Sequence, residues 1–328
     1  MKPIKYLLFF AICLGFSYVI MDSVQHIQAE IYHRNGFIKK ERGYPKLANI
    51  DFNKASKLIP WENHYRLQFA KSLEATASKF SNEYQYYINL AIKEYETLIE
   101  SDPLNPWFKA RLGLIYHDLY KKTPTNKTYQ QLAQTFAKAA TDSDPQNPLF
   151  TLHYAHFLYT YNNLEESKRY YLKTLAYDND LTEAHFNIAA IYDQENNSTN
   201  AIKHHEIVNK QLLKMEARYR KNPTLETIKQ KIERFQNSRI RVAEYYLENN
   251  NNEHAYETIK LIPISVEKYE LLATYYEQQN QASTAISLYN QLKKSIENDI
   301  KKTTSPQRIQ SLEKKLSAYD QKINQLAQ

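Results

Sequence analysis

Between Asp102 and Asn179 the sequence states one pattern twice, and this repetition restricts the fold more than any other feature of the chain. It reads Asp102-Pro103, then Leu112-Gly113-x-x-Tyr116, then Ala133, Ala137 and Ala140, closing on Asp144-Pro145. From Pro145 it restarts with Tyr154-Ala155-x-x-Leu158, Ser167, Tyr171 and Thr174, and reaches Asn179 after 34 residues. A repeat of that length is one helix–turn–helix unit, which buries its apolar face only by stacking on a neighbour. Small residues at Gly113 and Ala133 let two antiparallel helices approach closely. Leu112, Tyr116 and Ala140 fill the seam with adjacent pairs, and the proline stops the second helix.

The pattern extends in both directions. Ala48-x-x-x-Phe52-x-x-Ala55 before Pro60 matches a second helix whose first helix is not recognisable, so the array begins with a half repeat. Phe69-Ala70-x-x-Leu73 with Ala91, Tyr95 and Leu98 forms the next pair. Insertions at equivalent positions follow, around Ser78–Tyr87 and Lys121–Tyr129. Ile188-Ala189-x-x-Tyr192 with Ala201, His205 and Val208 continues the series. Helical spacing then runs long, through Leu212, Met215 and Tyr219, and resumes early after Asn222-Pro223, which predicts an extended hairpin over about 201–248. Val242-Ala243-x-x-Tyr246 with Ala255, and Leu272-Ala273-x-x-Tyr276 with Ala285, complete the repeats at about residue 297. Residues 298–328 carry Ile309, Leu312, Leu316, Tyr319, Ile323 and Leu326 at alternating three and four spacing, read as a capping helix or a coiled-coil helix that would pair two copies.

These repeats resemble the tetratricopeptide repeat (TPR) family over residues 45–297, through Gly113, Ala133, Ala140, Ala189, Ala201, Ala243, Ala255, Ala273 and Ala285. The resemblance implies an all-α, right-handed superhelical solenoid that binds proteins or peptides in its concave groove. A weaker likeness is to the repeat regions attached to bacterial O-antigen ligase and polymerase membrane domains. It is carried by Asp102-Pro-Leu-Asn-Pro-Trp107 leading to Leu112-Gly113, without the many-helix membrane domain.

Composition excludes several alternatives. Four glycines in 328 residues leave almost nothing for tight turns or phosphate loops, against a β-rich or Gly-loop enzyme. The single cysteine, Cys13, permits no disulfide framework within one chain. Residues Tyr6 to Met21 are apolar or uncharged, follow Lys2 and Lys5, and precede Asp22, so residues 1–22 are read as an uncleaved signal-anchor transmembrane segment and 23–44 as a juxtamembrane linker. The two lysines keep the N-terminus cytoplasmic and the repeats outside, as in a bacterial inner membrane facing the periplasm.

Candidate site residues follow from position. Trp107, Arg111, Leu114, His117, Leu152, His153, His156, Tyr159, Phe186, Asn187 and Asp193 fall on the inner face of successive first helices, which the TPR likeness makes the partner groove, with aromatic side chains half exposed. The deep positions are mostly apolar, against a clamp for a charged chaperone tail. The net charge of +7 is uneven: residues 209–241 alone carry +7, and 242–292 carry −5. Lys210, Lys214, Arg218, Arg220, Lys221, Lys229, Lys231 and Arg234 form a patch suited to anionic envelope lipid or glycan. Without aromatic interleaving or a known motif, nucleic acid is not expected. His204-His205 lacks the second His of a zinc-protease signature, since Asn209 stands there. No catalytic residues, cofactor or metal are expected, and the chain reads as a membrane-anchored adaptor in cell-envelope assembly.

Overall fold

The computed structural model describes the backbone of residues 2–328 and the side chains of residues 14–328, in two compact units divided between Tyr170 and Tyr171. The first unit holds α1 (Lys2–Glu41), α2 (Pro45–Leu58), α3 (Asn63–Lys79), a single 3₁₀ turn (Ser81–Glu83), α4 (Tyr84–Ser101), α5 (Pro106–Lys122), α6 (Lys127–Ser143), α7 (Pro148–Thr160) and the start of α8 (Leu164–Tyr177). In the second unit α8 ends and α9 (Thr182–Gln194), α10 (Ser198–Lys221), α11 (Glu226–Phe235), α12 (Asn237–Glu248), α13 (Asn252–Leu261), α14 (Val266–Gln278), α15 (Ala282–Lys302) and α16 (Pro306–Leu326) follow. Among the described residues there is no strand.

The helices form pairs because small side chains stand where each pair crosses. Ala70, Ala155, Ala189, Ala243 and Ala273 on first helices, and Ala133, Ala201, Ala255 and Ala285 on second helices, are at most 2% exposed. In the α5/α6 pair the approach is closest. A Cβ added to Gly113 would lie 3.1 Å from the Ala137 nitrogen and 3.3 Å from the Ala133 oxygen, both backbone atoms. In α7/α8 a serine takes the small position: Ser167 is fully buried and its hydroxyl donates to the Ala155 carbonyl at 2.7 Å.

Turns inside the later pairs are built on asparagine rather than glycine. Asn162, Asn196, Asn250 and Asn280, which follow α7, α9, α12 and α14, all have φ between 56° and 62°. Asparagine tolerates this left-handed conformation better than other residues bearing a Cβ. Each closes its helix with a Schellman pair. The Asn163 nitrogen donates to the Leu158 carbonyl at 2.9 Å and that of Asn162 to Tyr159 at 3.0 Å, and the bonds recur at the other three turns. Asn197 and Asn251 then cap α10 and α13 with their side chains. Glycine scarcity therefore does not limit tight turns here, contrary to the compositional expectation. Between pairs, Asp102-Pro103-Leu104-Asn105-Pro106 and Asp144-Pro145-Gln146-Asn147-Pro148 repeat one cap. Asn105 accepts from Trp107 N–H, and Asn147 from Leu149 N–H, each at 3.1 Å, while each asparagine donates to the preceding aspartate.

The first helix missing from the N-terminal half repeat is the second half of α1. Ala29 and His33 are buried in it, and Gly36 packs so tightly that an added Cβ would meet the Phe52 ring of α2 at 2.9 Å. The expected linker over 23–44 is thus mostly helix, held by this packing. The anchor expected at 1–22 falls largely on residues 1–13, outside the described side chains; among the described residues no helix is long and apolar enough to cross a membrane. At the other end, Leu312, Leu316, Tyr319, Ile323 and Leu326 of α16 pack with Tyr289, Leu292 and Ile296 of α15. Lys315 and Tyr319 reach Glu270 on α14, and Lys322 reaches Glu277 at 2.9 Å. This is the capping arrangement. The apolar stripe that would pair two copies is engaged within the chain.

Replacing Gly113 by alanine should cost about 1–3 kcal/mol, because backbone rather than a flexible side chain must move. Thermal or urea unfolding measures it. Wild-type stability in Gly113→Ala would contradict the close approach.

Candidate partner-binding surfaces

In the first unit the predicted groove residues lie on α5 and α7. Trp107 is 54% exposed and touches its neighbourhood mainly through an edge contact with Phe150, ring centroids 4.8 Å apart. Arg111 is partly exposed but held by both oxygens of Glu74, whose carboxylate also accepts from the Tyr95 hydroxyl at 2.6 Å. Burial and then the Glu74 charge push the Tyr95 pKa up. Leu114, His153, His156 and Tyr159 are half-buried, while Leu152 and His117 are buried. His117 stacks on Phe157 at 4.2 Å, its Nδ1 lies 2.9 Å from the Tyr161 hydroxyl, and its pKa is lowered to about 3 by burial and then by His156. Leu152 and His117 therefore stand in the packing between helices and offer little to a partner.

The remaining groove residues belong to the second unit. Phe186 is half-buried against Val208, Leu212 and Phe235, with ring centroids 5.1 Å from Phe235. Asn187 is buried. Asp193 accepts from His205 Nε2 at 3.0 Å and from Arg241, and His205 Nδ1 lies 3.0 Å from the Ser238 hydroxyl. Although burial opposes it, the bonds from Arg241 and His205 hold the Asp193 carboxyl below the usual range. Serine, histidine and aspartate thus meet, but Ser238 is fully buried and no substrate carbonyl can reach its hydroxyl. His185 and His204 also meet, Nδ1 to Nδ1 at 2.7 Å, so one ring donates and the other accepts. Burial and then His185 lower the His204 pKa to about 4. Among the described residues no group of three or more His, Cys, Asp or Glu is placed to hold a metal ion.

A cleft of about 310 Å³ between the first helices α12 and α14 was not singled out by the sequence. Its floor is Ile240, Leu247 and Leu271, and its rim is Glu244, Glu248, Glu267 and Glu270. Glu270 is occupied by Lys315 and Tyr319 from α16, and Glu244 by Arg241. Glu248 and Glu267 are exposed, and no cation lies within ion-pair distance of either among the described residues. The net −5 over 242–292 was the available signal. It lacked the helix register that brings 244 and 248 opposite 267 and 270.

The basic hairpin of α10 and α11 is only partly free. Arg234 pairs with Glu183 at 2.9 Å, and Lys229 with Glu226 at 3.5 Å. Arg239, part of the same charge excess, is fully buried and bonds Glu216 twice, Asn209 and the Leu261 carbonyl. Lys210, Lys214, Arg218, Arg220, Lys221 and Lys231 are exposed. Lys210, Lys214, Arg218 and Lys221 follow one another at four, four and three residues, so they share one face of α10.

No protein-family model matches the chain, and no curated protein matches it in sequence. Among solved structures, the MamA protein is similar with a TM-score of 0.47 and 16% identity, covering 58% of this chain and 95% of that one. A thermophilic TPR protein in Thermus thermophilus gives 0.43 and 16%, covering 64% and 98%. YrrB, a TPR protein with an unusual peptide-binding site, gives 0.42 and 13%, covering 59% and 90%. The likeness is to the repeat fold and goes no further. The chain's own tandem pairs, with small residues at each crossing, are TPR-like.

Four imidazoles, His33, His117, His204 and His205, are depressed chiefly by burial, and the two lowered furthest, His117 and His204, set most of a pH dependence. Both folded-state values lie below the ordinary 6.5, so the unfolded chain takes up protons first as pH falls. Stability should be unaffected above pH 6.5 and decline from there towards about 4 for His204 and about 3 for His117. Melting curves at pH 7 and 5 measure this, and His117→Gln combined with His204→Gln should make the decline shallower, with His33 and His205 accounting for what remains. An unchanged slope would show that these rings are not the groups responsible.

Proposed function

We propose that this protein is a membrane-anchored scaffold that binds a protein or peptide partner along the first helices of its TPR-like pairs, in cell-envelope assembly. The cleft between α12 and α14 carries the reading: an apolar floor rimmed by two uncompensated glutamates suits a segment bearing an apolar side chain flanked by lysine or arginine. Exposed Trp107 adds a large aromatic of the kind that anchors interfaces. Lys2 and Lys5 ahead of the apolar run Tyr6 to Met21 support an N-terminus in the cytoplasm and repeats outside it, at a bacterial inner membrane. The protein acts by binding and uses no cofactor.

Fluorescence anisotropy with a short labelled peptide of alternating lysine and leucine tests the cleft in the full chain. Charge reversal by Glu248→Lys with Glu267→Lys should weaken binding by about tenfold or more, since each rim pair is worth up to ~1 kcal/mol and becomes repulsive. Melting should hardly change, because both side chains are exposed. Equal binding by this variant would remove the cleft from the account. A second reading, attachment to anionic lipid or glycan, is favoured by the four cations on one face of α10. In the same assay with anionic liposomes, Arg218→Glu, Arg220→Glu and Lys221→Glu together should abolish salt-sensitive binding if that reading holds, leaving peptide binding intact.

A further inference from the structure

Helix α1 has two apolar faces, and only one of them is covered. The covered face is that of Ala29, His33 and Gly36, packed on the rest of the first unit. At 100° per residue, Ile20, Val24, Ile27, Ile31 and Ile38 fall about 160–220° round the helix from Ala29, on the opposite side. Their exposures are 62%, 45%, 62%, 54% and 39%. Such a helix in water would carry polar residues there, as the outward faces of most helices here do. Instead the first four follow at spacings of four, three and four, which is the seam of a parallel coiled coil. The flanks are compatible with a like helix alongside: Ser23 and Glu30 on one side and Gln28 and Asn35 on the other place no like charges opposite each other in a parallel pair. Arg34 stands at the next seam position, where two copies would repel, so the dry contact ends at Ile31.

We propose that α1 pairs in parallel with the α1 of a second copy of this chain, through Ile20, Val24, Ile27 and Ile31. The inference rests on the anchoring reading in one respect. A four-residue seam is too short to hold two chains together in solution, but anchors that point the same way in one membrane bring the seams into register and raise their local concentration. The bilayer covers Ile20, which lies inside the span read at 1–22, but not the far end of the stripe. Because α1 is unbroken, Ile31 is carried about 14 Å beyond Asp22 along the axis, past the hydrocarbon edge. The C-terminal helix α16 does not compete as a pairing element, since its stripe is packed on α15.

Site-directed disulfide crosslinking of the full chain in its native membrane tests the pairing, starting from Cys13→Ser and adding one cysteine at a time. Ile27→Cys and Ile31→Cys should give the doubled species several-fold more than Gln28→Cys and Glu30→Cys, and Ile27→Asp with Ile31→Asp should abolish pairing while leaving the melting temperature unchanged. Equal crosslinking at all four positions, or none, in a chain that resists alkaline extraction overturns the proposal while leaving the anchor standing. Labelling of Ile27→Cys by a probe confined to lipid tails overturns it in favour of a bilayer-covered stripe. If alkali releases the chain, the anchoring reading fails; seam-specific crosslinking would then still uphold the pairing, and its absence would end both.

Discussion

Everything in this chain depends on how closely two helix backbones approach inside a pair. At Gly113 a methyl group would fit only if the neighbouring backbone, 3.1 Å away, gave way, and at the other crossings an alanine or serine is enclosed. Close crossing has two consequences. It brings the larger side chains, such as Leu112, Tyr95 and Leu158, out of the crossing and into the seams between pairs, where they are 0–1% exposed. It also leaves the outward sides of the first helices free of core duty. Within each unit, tandem helix pairs of this kind gain their stability from burial between neighbours.

Much of this was legible in the sequence. The small positions and the Asp-Pro stops stand where the spacing puts them, because helical periodicity and proline act locally, whereas the spacing that runs on from Leu225 to Val242 is broken at Gln236 between α11 and α12. Two things were not. The first helix of the N-terminal pair was hidden because it continues directly from an apolar run, with no cap or proline to mark its start. The tight turns were hidden by counting glycines, when Asn162, Asn196, Asn250 and Asn280 perform that role.

Site residues were harder to place, for a physical reason. Position on a first helix does not settle whether a side chain faces a partner or the next helix, since neighbouring first helices also touch. His117 and Leu152 are buried, whereas Trp107 stays 54% exposed even though its ring edge meets Phe150 on the next first helix. Charge was equally ambiguous. Arg239 counts towards the basic excess yet is enclosed and bonded to Glu216, Asn209 and Leu261, which makes it a tie between α10, α12 and α13. The acidic cleft shows the converse, where dispersed glutamates converge only after two helices are laid side by side.

Photocrosslinking of the full chain in its native cells tests most directly whether the first helices are the binding face. Benzophenone side chains would replace Trp107, Leu149 or Glu248, all exposed on first helices, and Gln131, Leu172 or Lys203, exposed on second helices. The account predicts that one partner protein is captured from the first set and not from the second. Capture from α6, α8 and α10 with none from α5, α7 and α12 would contradict it.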